Sequence, residues 1–285
     1  MILVTGATGS VGGQVASQLH AAGVDVRALV RDPEKAKRVL PDGVEAVRGD
    51  LTDPASLDAA LDGVDAVFLM WPLFGWDGAD EVVATIARHA RRVVYLSTIG
   101  ASDDDTSEVE EGILGFHTVL ERLVRKSVPE WVTVRPGGFA TNTLGWAAQT
   151  RAGDTVRMPY PGAARSMLHE ADIAAVAVRG LLTDELLGTA PEFMGNDVLT
   201  QAEQVEAIGR ALGRTLRVEE TPYDEAVKDL VESGVPEDYA HGILEAHAEM
   251  QANPVPTDTA FAELMGRPPR TYGEWAADHA ADFRG

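Results

Sequence analysis

The stretch Met1-Ile2-Leu3-Val4-Thr5-Gly6-Ala7-Thr8-Gly9-Ser10-Val11-Gly12 decides the fold. Its first four residues are apolar, the length and character of a strand buried in a parallel sheet. A glycine-rich turn, TGATGSVG, follows, and Val11, Val15 and Leu19 then recur at helical spacing. Strand, glycine loop and helix in that order read as a dinucleotide site. Gly6 lets the chain turn sharply after the strand. Gly9 has no Cβ, so a pyrophosphate can approach the backbone, and Gly12 lets helix and strand pack closely. Thr8, Ser10 and Val11 belong to the same loop, where the N–H groups and dipole of the helix face the phosphates.

Outward from this stretch, strands and helices alternate. Residues 24–30 form a second strand with Arg31 at its carboxyl end, and Asp32-Pro33-Glu34 starts a helix with an Asp N-cap and a proline in the first turn. Further strands are expected at 44–47, ending at Gly49-Asp50-Leu51, and at 65–70, 92–97 and 131–135, with helices at 79–90 and 109–126 between them. Such alternation predicts an α/β fold with a doubly wound, Rossmann-type parallel sheet. Ligands on such sheets bind beyond the carboxyl ends of the strands. Arg31, Asp50, Trp71, Ser97 and Pro136 all fall there. After Pro136 the pattern loosens into a loop around residues 159–161, a helix over 172–182 and a short strand over 192–194 returning to the sheet. Helices follow over 201–212, 223–233, 237–251, 257–265 and 272–283. The expected organisation is a nucleotide-binding domain over residues 1–140 and a smaller, mostly helical substrate lobe over 141–285, interleaved with the sheet.

Composition excludes several classes. The 285 residues carry 45 acidic against 24 basic side chains, a net charge of −21 that repels nucleic acid and anionic membranes. There is no cysteine, hence no disulfide, thiolate nucleophile or thiolate metal site. The seven histidines are scattered without a His-x-x-x-His pair, so no metal is expected. No run reaches membrane-spanning length, and the first residues read as strand rather than signal peptide. A cytoplasmic protein acting on a small molecule is the expectation, with monomer or homodimer left open.

The end of the second strand selects the nicotinamide cofactor. An acidic residue there binds a ribose 2′-hydroxyl, whereas an arginine accepts a 2′-phosphate. Arg31 comes first and offers a planar cationic fork, Lys35 lies one helical turn on, and Asp32 is accounted for as the N-cap. NADP(H) is therefore favoured over NAD(H). Met70 and Trp71 follow the fourth strand and are expected to flank the adenosine. The aromatic loop Trp71-Pro72-Leu73-Phe74-Gly75-Trp76 covers the cofactor or lines the substrate mouth. Ser97 and Thr98 are expected near the nicotinamide.

TGATGSVG resembles the TGxxGxxG loop of the short-chain dehydrogenase/reductase superfamily, in the form of its atypical NmrA-like members. Trp131-Val132-Thr133-Val134-Arg135-Pro136-Gly137-Gly138-Phe139 is similar to the family's TxxRPxxF strand and loop beside the nicotinamide, which implies cofactor roles for Pro136 and Phe139. His169-Glu170-Ala171-Asp172-Ile173-Ala174 resembles its DIA helix start, and Gly266-Arg267-Pro268-Pro269-Arg270-Thr271-Tyr272 its closing segment. The likeness implies that Asp50 bonds the adenine edge with Leu51 packing nearby; the alternative is an N-cap of a short turn. It also implies that Ser97 stands in the family's serine position.

The superfamily's Tyr-x-x-x-Lys pair is absent, since none of the tyrosines at 95, 160, 223, 239 and 272 has a lysine four residues later. His117 and Glu121 resemble the His-x-x-x-Glu of NmrA-like quinone reductases at that helix. A carboxylate one turn on can orient the imidazole, which titrates near neutral pH; the alternative is an ordinary exposed pair. Tyr160, in Met158-Pro159-Tyr160-Pro161, is the rival proton donor. The implied activity is hydride transfer from NADPH to a quinone, ketone or similar small acceptor. The alternative is a non-catalytic NADP(H)-binding redox sensor that regulates a protein partner.

Overall fold

The computed structural model describes residues 1–106, 108–109 and 112–284. In chain order the first elements are β1 (Ile2–Val4), α1 (Ser10–Ala21), β2 (Val26–Val30), α2 (Pro33–Ala36), β3 (Glu45–Arg48) and α3 (Leu57–Leu61). Next come β4 (Ala66–Leu69), α4 (Ala79–His89), β5 (Arg92–Leu96), α5 (Ile113–Ser127) and β6 (Glu130–Pro136). Residues 110 and 111, near the start of the helix expected over 109–126, lie outside the described residues. Then follow β7 (Gly138–Phe139), α6 (Ala147–Ala152), β8 (Thr155–Met158), β9 (Ala164–Leu168), α7 (Glu170–Leu182), β10 (Glu192–Phe193) and β11 (Val198–Thr200). The chain closes with α8 (Gln201–Leu212), β12 (Arg217–Glu220), α9 (Tyr223–Glu232), α10 (Glu237–Ala252), α11 (Ala260–Met265) and α12 (Tyr272–Asp278).

The chain divides into two compact units, residues 1–136 with 170–192 and residues 137–169 with 193–285. The first is built on a seven-stranded sheet of order β10-β6-β5-β4-β1-β2-β3. β1 pairs in parallel with both β2 and β4, so the strand carrying the glycine loop lies inside the sheet. Ile2, Leu3 and Val4 are buried, and removing such side chains from water is the main stabilisation of this layer. The first turn of α2 is capped as its sequence predicts, with Asp32 Oδ1 accepting the Lys35 N–H at 3.2 Å. Helix α7 belongs to this first unit and packs on α1, and Gln18 Nε2 donates to the Ala171 carbonyl at 2.9 Å. The strand expected over 192–194 is β10, at the edge of the sheet.

The second unit contains more strand than its sequence suggests. A three-stranded sheet, β11-β9-β7, and a two-stranded one, β12-β8, stand beside its helices. These strands are two to five residues long, too short for a clear period-2 pattern, and they form because partners distant in sequence pair with them. Trp275, Tyr272 and Phe283 are buried with Val205, Ile208, Val156 and Met158 in its core. The Gly266–Tyr272 segment has a structural use here, because Thr271 and Glu274 form a capping box on α12 and the Tyr272 hydroxyl donates to Thr143 Oγ1 at 2.8 Å. Among the described residues no helix is long and apolar enough to cross a membrane, and no group of three or more His, Asp or Glu side chains could hold a metal ion.

Candidate functional site

The parallel order of the first unit brings the loops after β1, β2, β3, β4 and β5 to one edge, the carboxyl edge where ligands bind. After β1 the chain turns at Gly6, whose φ of +63° lies in the left-handed region. The Met70 side chain sits over this residue: a Cβ on Gly6 would fall 2.3 Å from the Met70 Cε. The Thr5 hydroxyl fastens the two strand ends together, donating to the Met70 carbonyl at 3.1 Å and accepting the Met70 N–H at 2.7 Å. Gly12 is clamped from the other side. A Cβ there would lie 2.3 Å from the Gly6 carbonyl oxygen and 2.9 Å from that of Thr5. Gly9 is different: its N–H donates to the Gly6 carbonyl at 2.8 Å, its backbone is extended, and it is exposed together with Thr8 and Ser10. No side chain caps the first turn of α1 and no acidic residue lies in it. The N–H groups that open a helix have no partner within it. Val11 and Gly12 are buried behind the loop.

Arg31, following β2, is exposed, and among the described residues it has no hydrogen bond or ion pair. Asp32 is engaged twice, as the cap of α2 and in an ion pair with Lys35 at 3.5 Å. Asp50 Oδ1 accepts both the backbone N–H and the hydroxyl of Thr52 at 2.9 Å, which, with the nearby Arg31 charge, holds its carboxyl below the usual range. Asp50 is thus a turn cap as well as a residue of the carboxyl edge, and Leu51 is buried beside it. Trp71 is buried, its indole N–H closing its own loop on the Gly75 carbonyl at 2.8 Å, while Leu73, Phe74 and Trp76 stand exposed.

At the end of β5, Tyr95 and, just beyond the strand, Ser97 face the same side and meet α5, where His117 and Glu121 lie one turn apart. The pairing differs from the expected His–Glu couple. The His117 Nδ1 lies 2.7 Å from the Tyr95 hydroxyl, and Glu121 turns to the fully buried side of the helix. There Glu121 accepts the Ser97 hydroxyl at 2.5 Å and a two-pronged bond from Arg135, Nε at 3.0 Å and Nη2 at 2.6 Å. Arg125 Nη1 adds a fourth donor at 3.3 Å. Arg135 also reaches Asp103 at 2.7 Å and Glu192 at 3.2 Å. Burial alone would lower the Arg135 pKa, but its bonds to Glu121 and Asp103 and their charges outweigh it and raise the guanidinium above its ordinary value. A buried charge is tolerated when paired in this way. Ser97 therefore anchors this network, and its one O–H is engaged. Thr98 is half-buried just beyond it, and Pro136 is buried at the end of β6. Phe139, in β7, and Tyr160, whose φ is +49°, belong to the second unit.

His117 does not titrate near neutrality, because burial lowers its pKa to about 4. Burial also raises the Tyr95 pKa, aided by the Glu121 charge, so Tyr95 stays protonated. With no second partner for that hydroxyl among the described residues, Tyr95 donates to Nδ1, and the imidazole is neutral with its proton on Nε2. The unfolded value is the ordinary 6.5. Between about 6.5 and about 4 the unfolded chain takes up a proton that the folded one does not. The contribution is therefore complete above pH 6.5 and is lost as pH falls toward 4, by up to about 3 kcal/mol. His247, also lowered to about 4, shares this window. The difference in urea midpoint between wild type and His117→Asn, followed from pH 7 to pH 4.5, is expected to shrink on acidification. A constant difference would mean that His117 titrates in the fold as it does in the unfolded chain.

Tyr95, Glu121 and Arg135 were not expected as a unit. One signal was available: an arginine inside the apolar run Trp131-Val132-Thr133-Val134-Arg135 must be paired if that strand is buried.

With this geometry in place, comparison with known proteins identifies the family. The NAD(P)H-binding family matches residues 6–184, from the glycine loop through α7. The chain belongs to this family. Among members of known name it is similar to the (4-alkanoyl-5-oxo-2,5-dihydrofuran-3-yl)methyl phosphate reductase of Streptomyces griseus, 40% identical over 292 residues and 99% of each chain. It is 34% identical to the NAD(P)H azoreductase of Xenophilus azovorans, again over 99% of each chain. The NADPH-dependent quinone oxidoreductase of Escherichia coli, solved in complex with NADPH, superposes with a TM-score of 0.78 over 98% of this chain and 99% of that one. At 22% identity this last likeness speaks for the fold.

Proposed function

We propose that this NAD(P)H-binding chain is an NADPH-dependent reductase that transfers a hydride to a quinone, ketone or similar small acceptor. The observation that carries the reading is the uncapped first turn of α1 behind an exposed, extended Gly9, a cradle that a side chain at that position would fill. The two named relatives are both reductases, one of an azo compound by its name and one of a furanone ester. Bound NADPH would supply the hydride chemistry. The chain's own part is to hold and orient. Gly6, Thr8, Gly9, Ser10, Val11 and Gly12 form the loop that receives the pyrophosphate, Gly9 by leaving room for it and the first turn of α1 by its open N–H groups, while Asp50 and Leu51 border the adenine, and Met70 and Trp71 border its ribose. Ser97, Thr98, Pro136 and Phe139 serve the nicotinamide end, Ser97 by fixing the backbone rather than as a free hydroxyl. His117, neutral with Nε2–H, stabilises the acceptor oxygen as a hydrogen-bond donor rather than as an imidazolium acid. Tyr160, held at a φ that non-glycine residues rarely adopt, is the rival donor. The second unit is the substrate lobe in this reading.

NADPH is favoured over NADH because Arg31 has no hydrogen bond or ion pair among the described residues while Asp32 is engaged as a cap. Lys35 contributes less, being paired with Asp32. Arg31→Ala is expected to weaken NADPH binding about 10- to 100-fold, the range for hydrogen bonds to a charged group, and to leave NADH unchanged. Equal losses for both cofactors would remove the preference. The activity itself is tested by steady oxidation of NADPH with a panel of quinones and ketones. Tight binding with no turnover across the panel would overturn the reductase reading.

A further inference from the structure

The second unit holds a cation that no carboxylate among the described residues pairs with. Arg165 lies on β9, half-buried, and among the described residues its side chain has no hydrogen bond and no ion pair. Arg92, Arg135 and Arg157 are also drawn into the fold or across its surface, but each is bound by carboxylates that raise its pKa. Arg165 is the opposite case, with burial pushing its pKa down and no carboxylate to oppose it. The chain carries 45 acidic side chains, so a partner was not scarce. Helix α10 packs on β9 and brings His247 close enough for the Arg165 charge to lower its pKa further. The Nδ1 of His247 is buried without a hydrogen-bond partner. The Arg165 side chain also runs beside Gly138 at the start of β7, where a Cβ would stand 3.3 Å from its Nε. A guanidinium without a counter-ion and an unsatisfied imidazole nitrogen each cost stability. Both costs are relieved by one group that accepts hydrogen bonds and carries negative charge.

We infer that Arg165 and His247 form a binding point for an oxyanion, a phosphate monoester or a carboxylate carried by the acceptor molecule. The assignment to the acceptor rests on the reductase reading, whereas oxyanion binding itself does not. Such a site would make the enzyme select anionic acceptors, the guanidinium supplying charge and a fork of N–H donors and the imidazole one further N–H.

The test uses the full chain saturated with NADPH, so that inorganic phosphate cannot occupy the glycine loop. Phosphate and, separately, acetate are titrated while the imidazole nitrogen resonances of His247 are followed. A saturable shift with either anion is expected, with phosphate alone marking a phosphoester site and acetate alone a carboxylate site. Arg165→Met should weaken that binding about 10- to 100-fold. His247→Gln, a milder change read from the heat of the same titration because it lacks the imidazole, should weaken it less, and it keeps the test valid should Arg165→Met fail to fold. In turnover, Arg165→Met should raise the KM of a phosphorylated or carboxylated ketone while the unsubstituted ketone is unaffected. No His247 shift with either anion in the wild-type protein would overturn the site. Anion binding at His247 with no turnover of any acceptor would leave the site standing and defeat the reductase reading instead.

Discussion

Glu121→Ala is expected to cost about 3–5 kcal/mol of folding stability. Glu121 is fully buried and Arg135 is 2% exposed, so both charges have left water and depend on each other. Truncating the carboxylate removes both prongs from Arg135 and leaves the Ser97 hydroxyl and Arg125 without their shared acceptor. Asp103 and Glu192 remain, but they are 74% and 43% exposed and compensate only in part, because solvent screens them. Replacing both partners with apolar groups should be milder than removing one, since no buried charge is then orphaned. The comparison is the urea midpoint of Glu121→Ala, Arg135→Met and the double variant Glu121→Leu with Arg135→Met. A loss below about 1 kcal/mol for Glu121→Ala would mean that water reaches the pair, and the network would not be what holds Ser97.

The second large effect is expected at the glycine loop, where two glycines three residues apart should fail in different ways. At Gly9 the backbone is extended, with φ −96° and ψ 179°, a conformation open to any residue, and a Cβ would meet only the Gly6 carbonyl oxygen, at 3.3 Å. Gly9→Val should therefore fold, with a near-normal circular dichroism spectrum, while its side chain fills the space proposed for the pyrophosphate. Losing two hydrogen bonds to a charged phosphate amounts to roughly 100-fold or more in NADPH affinity. At Gly12 a Cβ would lie 2.3 Å from the Gly6 oxygen and 2.6 Å from its carbonyl carbon, backbone atoms that cannot step aside. Gly12→Val should lose the fold of the loop and with it global stability. Unchanged nucleotide affinity in Gly9→Val would take away the observation on which the proposed function rests.

The sequence by itself determined the parts of this protein that depend on neighbours in the chain. The strand, turn and helix of residues 1–21 follow from four apolar residues, three spaced glycines and a helical apolar repeat, all acting within a few residues of one another. The Asp32 cap was legible for the same reason, since a cap bonds an N–H only three residues away. The alternation of strands and helices was enough to place Arg31, Asp50, Met70 and Ser97 at one edge, because a parallel sheet admits one direction for every strand end. Tertiary structure decided what those side chains touch. His117 and Glu121 share a helix face, and their spacing suggested that they bond each other. Strand order then set Tyr95 beside the imidazole and Arg135 beside the carboxylate, partners 22 and 14 residues away. Burial turned the histidine from a titrating acid into a neutral donor, a change that no local pattern encodes. The same holds for Arg165 and His247, some eighty residues apart in sequence, where the packing of α10 on β9 brought the arginine's charge to bear on the histidine.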